Sequence, residues 1–395
     1  MNRIVISIDN YVYALEGKYY TNNIGYDIVK RYADNFGAVN LICRMVQCSS
    51  KEQLGTHIIN LPFTNITYFG VPFFNTISGL IRLYSEISKV VENAQSNCSV
   101  ALARSPSVLG FIVLHRLDIN TLYALEVVAN PFEAIKGSKG TARIQNFVMH
   151  LLLKHYCKKA CSLAFVTKRT LQTIYEINRC KGNNTNYSSV ELLEEFYSDR
   201  TIKRDFFSDN SLPIRISHVS NKIAGNLKGH HEVIEVAERI KETGRKVTVV
   251  FAGDGPSVDY YRNLASLKNV DVTFMGFVEK PQLHQLLLNT DFFLFPSKSE
   301  ALPRVLIEAM AVSVPCIASD VGGIPELLPS ESVFNRNDVN GMANRIMELA
   351  SDRRKYEEYS KQMYNTALEY KSSILAERRK VFYQQLKNLN KLSQS

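Results

Sequence analysis

The sequence predicts an α/β protein with two Rossmann-like domains. In each half of the chain a strand, a helix and a second strand follow one another, as in parallel sheets with crossover helices. At 395 residues and 45% hydrophobic, the chain can also bury two substantial cores. The predicted elements are the strand 3–8, the helix 26–36 and the strand 39–43 in the first half, and the strand 214–220, the helix 232–241 and the strand 247–252 in the second.

The composition of residues 198–213 predicts where the two domains meet. Residues 198–213 lack sustained apolar periodicity and carry mixed charge, which is typical of a linker. We therefore predict an N-terminal domain over residues 1–200 and a C-terminal domain over 214–370. Residues 371–395 have one broad apolar face and are expected to form a terminal helix.

Residues 295–328 hold the pattern that is most informative about function. The apolar run 291–296 is typical of a buried strand, and the apolar residues between 305 and 310 recur with helical spacing. Pro303 suits the first helical position, and Ser299 or Glu300 could cap the helix. The chain is therefore expected to turn from strand to helix here.

Such a turn can bind a phosphate, because free backbone N–H groups near Ala301 and Leu302 would face the crevice at the carboxyl end of the strand. Glu308 follows roughly 8 Å along the helix axis. Its carboxylate could accept two hydrogen bonds from a ribose diol, while Glu300 stays beside the phosphate and a sugar. By spacing alone, both glutamates would more often be solvated residues of a surface helix.

A second loop is expected to border the same crevice. Gly322 and Gly323 follow the predicted strand 314–318, and Pro325 could begin another helix. Paired glycines let a backbone approach a ligand closely, and they equally suit a tight strand-to-helix turn.

The segment closely resembles the donor signature of retaining GT-B glycosyltransferases of family 4 (glycosyl transferases group 1), in a context like S-E-G-x-P-x-x-x-x-E-A-M-A. Ala301 stands where the family usually has Gly. Ala is strained there if the position needs a positive φ, and tolerated if it only needs a small side chain. The matching residues are Ser299, Glu300, Pro303, Glu308, Ala309, Met310 and Ala311.

The resemblance extends to other loops of the second half. Lys222 and Lys228 stand where the family has a basic pair, usually an Arg and then a Lys-Gly, and two cations can neutralise a leaving diphosphate. As bare lysines, both are more often solvated surface charges. The resemblance implies further donor-binding residues at Gly253, Gly255, Phe277 and Val278.

The N-terminal half resembles the family less specifically and is expected to bind the acceptor. Arg104 follows the predicted strand 99–103, and the same element occurs in the bacterial surface-polysaccharide assembly branch of the family. Arg104 could face the acceptor or the diphosphate, whereas Ser105 could simply cap a helix that begins at Pro106. The other acceptor-side candidates are Gly17, Glu126 and Asn130.

The formal net charge of +9 is unevenly distributed. No acidic residue lies between Glu133 and Glu176, and basic and apolar residues alternate through residues 136–169. This segment predicts a helix that either packs in the core with a solvated basic side or docks onto an anionic membrane surface. Because no RNA-binding or zinc-finger pattern accompanies it, nucleic acid is not an expected partner.

Several classes of protein are disfavoured. A dinucleotide fingerprint would need a glycine at Val258, which argues against a nicotinamide oxidoreductase. The seven cysteines lack a repeated metal-type spacing and are expected to be reduced thiols. Because no apolar run reaches about 18 residues and the start does not resemble a signal peptide, we expect a cytoplasmic protein, at the inner face of the membrane if residues 136–169 dock there.

The resemblance implies two domains facing a central cleft, with segment 371–395 crossing back to the first. It implies retaining transfer from a nucleotide-sugar, with UDP-sugar favoured over GDP-sugar, to a glycan or polyprenyl-diphosphate-linked acceptor in O-antigen or capsule biosynthesis. No metal and no cofactor are expected. Glu300 would orient the sugar while Lys228 and Lys222 stabilise the diphosphate. A nucleotide-sugar epimerase or phosphorylase of the same fold and a catalytically silent nucleotide-sugar-binding protein remain alternatives.

Overall fold

Two sheets organise the chain, and we name the part built on each sheet the first and the second domain. The computed structural model describes residues 3–54, 58–74, 76–175, 184–201, 206–207 and 211–392. The strands of the first sheet are β1 (Ile4–Leu15), β2 (Lys18–Asn22), β3 (Val39–Gln47), β4 (Ile58–Asn60), β5 (Ile66–Val71), β6 (Val100–Ser105), β7 (Leu122–Val127), β8 (Ser162–Phe165) and β9 (Thr185–Asn186).

Seven of these strands run parallel in the order β5-β3-β1-β6-β7-β8-β9, while β2 and β4 add an antiparallel extension beside the second half of β1. Parallel strands need crossover connections, and most of those in this domain contain an α-helix, whereas β3 leads to β5 through a 3-10 turn and β4. The helices are α1 (Asn23–Asn35), α2 (Ile77–Gln95), α3 (Val108–Arg116), α4 (Pro131–Gly137), α5 (Gly140–Lys159) and α6 (Thr170–Tyr175).

The second sheet is parallel throughout, in the order β12-β11-β10-β13-β14-β15. Its strands are β10 (Ile214–Lys222), β11 (Val247–Asp254), β12 (Asp271–Phe274), β13 (Phe292–Phe295), β14 (Cys316–Ser319) and β15 (Val333–Phe334). The helices of this part of the chain are α7 (His230–Glu242), α8 (Val258–Leu267), α9 (Lys280–Leu288), α10 (Arg304–Ala311), α11 (Val339–Ser351), α12 (Arg353–Leu368) and α13 (Ser372–Leu392).

The predicted α/β fold is confirmed. β13 shows why its strands could be predicted from runs of apolar residues. All four residues of β13 are buried, because helices cover both faces of a parallel sheet. α10 then buries Leu306, Ile307 and Met310 against it, and α7 is amphipathic in the same way. Among the described residues, no helix combines the length and the apolar character needed to cross a bilayer.

The predicted end of the first strand is wrong. β1 does not stop at residue 8 but runs to Leu15, because its second half pairs with both β2 and β3. Gly17 therefore does not lie in a loop leading to a helix. Glu16 and Gly17, at φ 49° and 74°, form the two-residue turn between β1 and β2, where positive φ at both positions matches the strand twist.

The predicted starts of two helices are also wrong. Ser107 rather than Ser105 caps α3, since Ser107 Oγ accepts from the N–H of Gly110 at 2.8 Å. α10 begins at Arg304, so Pro303 is its N-cap residue instead of its first helical residue, and neither Ser299 nor Glu300 caps it. The lack of a side-chain cap leaves backbone N–H groups at the start of α10 open to a ligand.

α13 returns from the second domain to the first, where the Tyr383 hydroxyl donates to Glu126 at 2.6 Å and Lys387 Nζ donates to the carbonyl of Asn35 at 3.1 Å. Residues 393–395 lie outside the described residues, as do 202–205 and 208–210 of the predicted linker. The domain boundaries themselves remain a prediction.

Candidate functional site

The order of strands in the second sheet reverses at β10, whose neighbours are β11 on one side and β13 on the other. In a doubly wound sheet such a switch point opens a crevice at the carboxyl ends of the strands. Lys228 follows β10 and Glu300 follows β13, so the two predicted catalytic residues border this crevice from adjacent strands.

The structure brings these two residues into contact. Lys228 Nζ lies 2.5 Å from Glu300 Oε1, and Ser297 Oγ donates to the same carboxylate oxygen at 2.8 Å. The side chains are 33% and 12% exposed, so the ion pair is reachable from the crevice but sheltered from bulk water. A cation and a carboxylate held at one point can bind a diphosphate and a sugar hydroxyl side by side.

Gly229 explains the close approach of the two loops. Its φ is +82°, and a Cβ at this position would lie 2.2 Å from the carbonyl oxygen of Pro296. The N–H of Lys298 also donates to the carbonyl of Leu227 at 2.8 Å. Only glycine therefore permits Lys228 to stand against the loop that carries Glu300.

Lys222 is not part of this cluster. It ends β10 with an exposed side chain, which forms no hydrogen bond or ion pair within the described part of the chain. Its assignment to the diphosphate stays a prediction.

Ala301 adopts an ordinary backbone conformation. Across the described ranges, the non-glycine residues with positive φ are Glu16, Asn97, Asn269 and Ser313, and Ala301 is not among them. Leu302 and Pro303 beside it are buried. Alanine in place of the usual glycine thus introduces no strain of the kind that a left-handed residue would suffer.

The paired glycines pack against the loop of Glu300. Gly322 has a φ of +54°, and a Cβ there would lie 2.1 Å from the carbonyl oxygen of Glu300. The N–H of Gly323 donates to the carbonyl of Ala301 at 2.7 Å. Both glycines are therefore required for contact between two protein loops, whatever they contribute to a ligand.

Glu308 is half-buried on α10, and its carboxylate accepts no hydrogen bond from a described protein group. Burial raises the pKa of Glu308 above its ordinary value, although the nearby charges of Arg304 and Lys280 oppose this shift. A sheltered carboxylate without a protein donor is suited to accept hydrogen bonds from a ligand.

The remaining donor-side candidates lie at the ends of β11 and β12. A Cβ on Gly253 would meet the carbonyl oxygen of Ser220 at 1.7 Å, and one on Gly255 would meet that of Ile223 at 2.4 Å. These glycines thus allow the loop after β11 to cross the end of β10. Phe277, which is 63% exposed, and the half-buried Val278 follow β12.

On the acceptor side, Glu126 lies in the interior. It pairs with Arg104 at 3.2 Å, and burial would raise its pKa, but Arg104 and three tyrosine hydroxyls hold that pKa below its ordinary value. Asn130 caps α4 by accepting from the N–H of Glu133 at 3.2 Å. The hydroxyl groups that donate to Glu126 belong to Tyr32, Tyr187 and Tyr383.

Sequence reasoning missed the residues that join the two domains at the cleft. Glu326, in a 3-10 turn after Gly323, contacts the start of α6, and Arg336 pairs with Glu133. A Cβ on Gly137 at the end of α4 would lie 3.4 Å from Leu227 Cδ1. No local signal could have found these contacts, because each joins residues far apart in sequence.

The described residues contain no group of three or more His, Cys, Asp or Glu side chains placed to hold a metal ion.

Comparison with known proteins agrees with this geometry. Residues 219–366 match the model of the family described as "Glycosyl transferases group 1". Protein CapJ of Staphylococcus aureus is 28% identical over 329 residues, which cover 81% of this chain and 79% of CapJ. "Putative teichuronic acid biosynthesis glycosyltransferase TuaC" of Bacillus subtilis is 28% identical over 229 residues, covering 58% of this chain and 51% of TuaC.

Solved structures share the fold. Sucrose-phosphate synthase from Thermosynechococcus elongatus superposes with a TM-score of 0.73 at 15% identity, covering 98% of this chain and 100% of that one. HepE of Anabaena in complex with UDP-glucose gives a TM-score of 0.62 at 16% identity, covering 98% and 99%. The fold is therefore GT-B, and its second domain contains the segment that matches the group 1 glycosyltransferase model.

Proposed function

We propose that this protein is a retaining glycosyltransferase that moves a sugar from a nucleotide-sugar to a glycan or a lipid-linked oligosaccharide. The observation that carries the proposal is the contact between Lys228 and Glu300 at the switch-point crevice, 2.5 Å apart. Glu308, on the helix α10 that follows Glu300, adds a carboxylate that accepts no hydrogen bond from a described protein group. Lys228 could neutralise a diphosphate, and the two carboxylates could accept hydrogen bonds from the hydroxyl groups of a sugar and a ribose.

In this mechanism, the bond between the anomeric carbon and the diphosphate oxygen breaks while an acceptor hydroxyl oxygen bonds to the same face of that carbon. The hydroxyl proton passes to the leaving diphosphate. Lys228, Lys222 and the uncapped N–H groups at the start of α10 would stabilise the diphosphate charge without a metal ion. Glu300 orients the transferred sugar, and Glu308 holds the ribose.

A UDP-sugar is the favoured donor, and surface polysaccharide such as O-antigen or capsule is the favoured product. HepE, which shares the fold, was crystallised with UDP-glucose, and TuaC is named for teichuronic acid biosynthesis. Phe277, exposed after β12, offers an aromatic face for the base.

The acceptor is proposed to be linked to polyprenyl diphosphate at the inner face of the cytoplasmic membrane, with α5 as the docking helix. Four apolar residues on α5 are between 47% and 66% exposed and recur at i, i+3, i+4 and i+7, namely Ile144, Phe147, Val148 and Leu151. Arg143, Lys154 and Lys159 accompany this apolar row, which we call the α5 row. An apolar stripe with basic neighbours complements an anionic bilayer.

The position of α5 supports the same partner. The helix before it, α4, ends at Gly137 against Leu227 and Ser299 of the donor loops. The segment that leads into α5 therefore lies beside the loops that carry Lys228 and Glu300.

The decisive experiment is incubation of the protein with UDP- and GDP-sugars and a lipid extract containing polyprenyl-linked oligosaccharides. We expect one nucleotide-sugar to be consumed, with the sugar recovered on the acceptor in the anomeric configuration of the donor. Release of a free isomerised nucleotide-sugar would instead identify an epimerase. Binding of the donor without turnover would identify a silent binding protein.

A further inference from the structure

The carboxylate of Glu326, in the second domain, binds the start of helix α6 in the first domain. It accepts hydrogen bonds from the backbone N–H groups of Lys168, at 2.6 Å, of Arg169, at 3.0 Å, and of Thr170. The hydroxyl of Thr170 donates to the same carboxylate at 2.5 Å. One side chain of the second domain thus caps the first turn of α6 in the first domain, whose N–H groups would otherwise lack partners.

The carboxylate is attached to the donor loop by a short path. Glu326 belongs to the 3-10 turn Ile324–Glu326, which directly follows Gly323. Gly323 donates its N–H to the carbonyl of Ala301, and Gly322 leaves no room for a Cβ against the carbonyl of Glu300. Displacement of Glu326 would therefore be transmitted to the backbone that carries Glu300.

The first domain completes the contact from its own side. A Cβ on Gly323 would lie 2.9 Å from both Thr167 Cγ2 and Leu302 Cδ1, so the fully buried Thr167 and the donor loop enclose this glycine together. Thr167 is held in turn, since its Oγ1 accepts from the N–H of Leu171 in α6 at 3.0 Å.

We propose that Glu326 is a positioning residue, which sets the donor loop relative to the first domain and so aligns Glu300 with an acceptor. The inference rests on the proposed transfer reaction, because it assigns the acceptor to the first domain. Only a carboxylate fits the arrangement, since all four contacts are donors. A glutamine would turn an amide N–H₂ toward backbone N–H groups and lose at least one of them.

Glu326→Gln is the test variant, and hydrogen exchange is the first measurement. Faster amide exchange is expected in two separate segments, residues 167–175 at the lost cap and residues 297–303 of the donor loop. A local cap alone would accelerate exchange only in 167–175, and that result would overturn the inference. Hydrogen exchange does not depend on turnover. It therefore tests whether Glu326 holds the donor loop even if the parent protein transfers no sugar.

Kinetics supply the second measurement. With a productive donor and acceptor, Glu326→Gln should lower kcat about 10-fold or more, because small misplacements of a reacting group are costly. The dissociation constant of the donor should stay within about threefold, since Glu308 and the start of α10 are untouched. An unchanged kcat together with faster exchange in 167–175 would contradict the positioning role.

Two further variants complete the design. Glu369→Gln is the control, because it removes another carboxylate that contacts the start of α6, namely the exposed partner of Lys168 Nζ. Glu369 does not contact the glycine loop, so kcat and amide exchange in the donor loop should not change. Thr170→Val removes one donor to Glu326 from the opposite side and should reproduce a smaller form of both effects. If Glu326→Gln does not fold, Thr170→Val decides the question by the same two readouts.

Discussion

Ala301 shows at the residue scale how a residue can depart from a motif without straining the backbone. Because its φ is not positive, glycine offers no conformational advantage there. We expect Ala301→Gly to lower the free energy of unfolding by about 0.4–1 kcal/mol, since glycine gains more freedom in the unfolded chain. Donor affinity should change by less than about twofold. Urea unfolding and calorimetric titration with the donor check both values, and donor binding tightened tenfold would show that the alanine does impair the site.

Glu308 makes a prediction about pH. Its pKa is raised in the folded protein by burial, so the folded state binds a proton more tightly than the unfolded state does. Stability is therefore lost as pH rises from the ordinary carboxyl range through the raised pKa. Glu308→Gln should accordingly raise the melting temperature at neutral pH, and this gain should vanish in acid, where the parent side chain is also neutral.

The same substitution should weaken donor binding at neutral pH by about 10- to 100-fold, the value of hydrogen bonds to a charged group. Parent affinity should fall as pH is lowered through the raised pKa, while the affinity of Glu308→Gln stays flat. The surface residue Glu357 offers a control, and Glu357→Gln should alter neither the donor affinity nor its dependence on pH. Donor affinity of Glu308→Gln equal to that of the parent would rule out the ribose assignment.

At the element scale, α5 carries a prediction about membranes. Neutralising Lys154, Lys158 and Lys159 with glutamine should reduce sedimentation with phosphatidylglycerol liposomes. At about 1 kcal/mol for each basic residue near an anionic surface, the loss at low salt is on the order of 100-fold in partition coefficient. Phe147→Ser, on the α5 row itself, should weaken binding in a salt-independent way.

α12 supplies a control with the same change of charge. Arg353, Arg354 and Lys355 lie at its exposed start, and their combined replacement by glutamine should leave sedimentation nearly intact. Equal losses for both triple variants would mean that net charge alone governs binding, and a parent protein that does not sediment would remove the membrane proposal.

Some helices and strands could be predicted from their local sequence, and others could not. β13 and α10 could be predicted because a fully buried strand and an amphipathic helix both leave a local pattern. β1 could not be followed beyond residue 8, since its second half depends on pairing with β2 and β3. Ser105 and Ser107 are equally good caps by type, and only the packing of α3 selects the second.

At the scale of the whole molecule, α13 ties the end of the chain to the first domain through Glu126. The carboxylate is buried among Tyr32, Tyr187 and Tyr383 and is neutralised by Arg104. The acceptor-side role of Arg104 and Glu126 stays a prediction, because strand ends that face a cleft and strand ends that face a docked helix share the same residue types. The contact between Glu126 and α13 could not be predicted, since it spans 257 residues.

Tyr383→Phe tests the hydrogen bond between α13 and Glu126, because it removes the hydroxyl group and keeps the shape of the ring. The ring still packs near Phe36, at 5.0 Å between centroids, but the buried carboxylate loses one of its donors. We expect the free energy of unfolding at neutral pH to fall by about 1.5–3 kcal/mol, as for a hydrogen bond to a charged group. Tyr197→Phe, which removes a neutral bond to the carbonyl of Ala367, should cost only about 0.5–1.5 kcal/mol.

The pH dependence separates the tie from general packing. The pKa of Glu126 is held low in the folded protein, so its contribution to stability is present above the ordinary carboxyl pKa and is lost as pH falls through the folded value. Because Tyr383 is one of the groups that hold this pKa low, the stability gap between parent and Tyr383→Phe should narrow in acid. Denaturant unfolding of both proteins across this range measures the gap. A gap that stays constant with pH would mean that the hydroxyl of Tyr383 does not stabilise the charged form of Glu126, and that α13 is held by its apolar face alone.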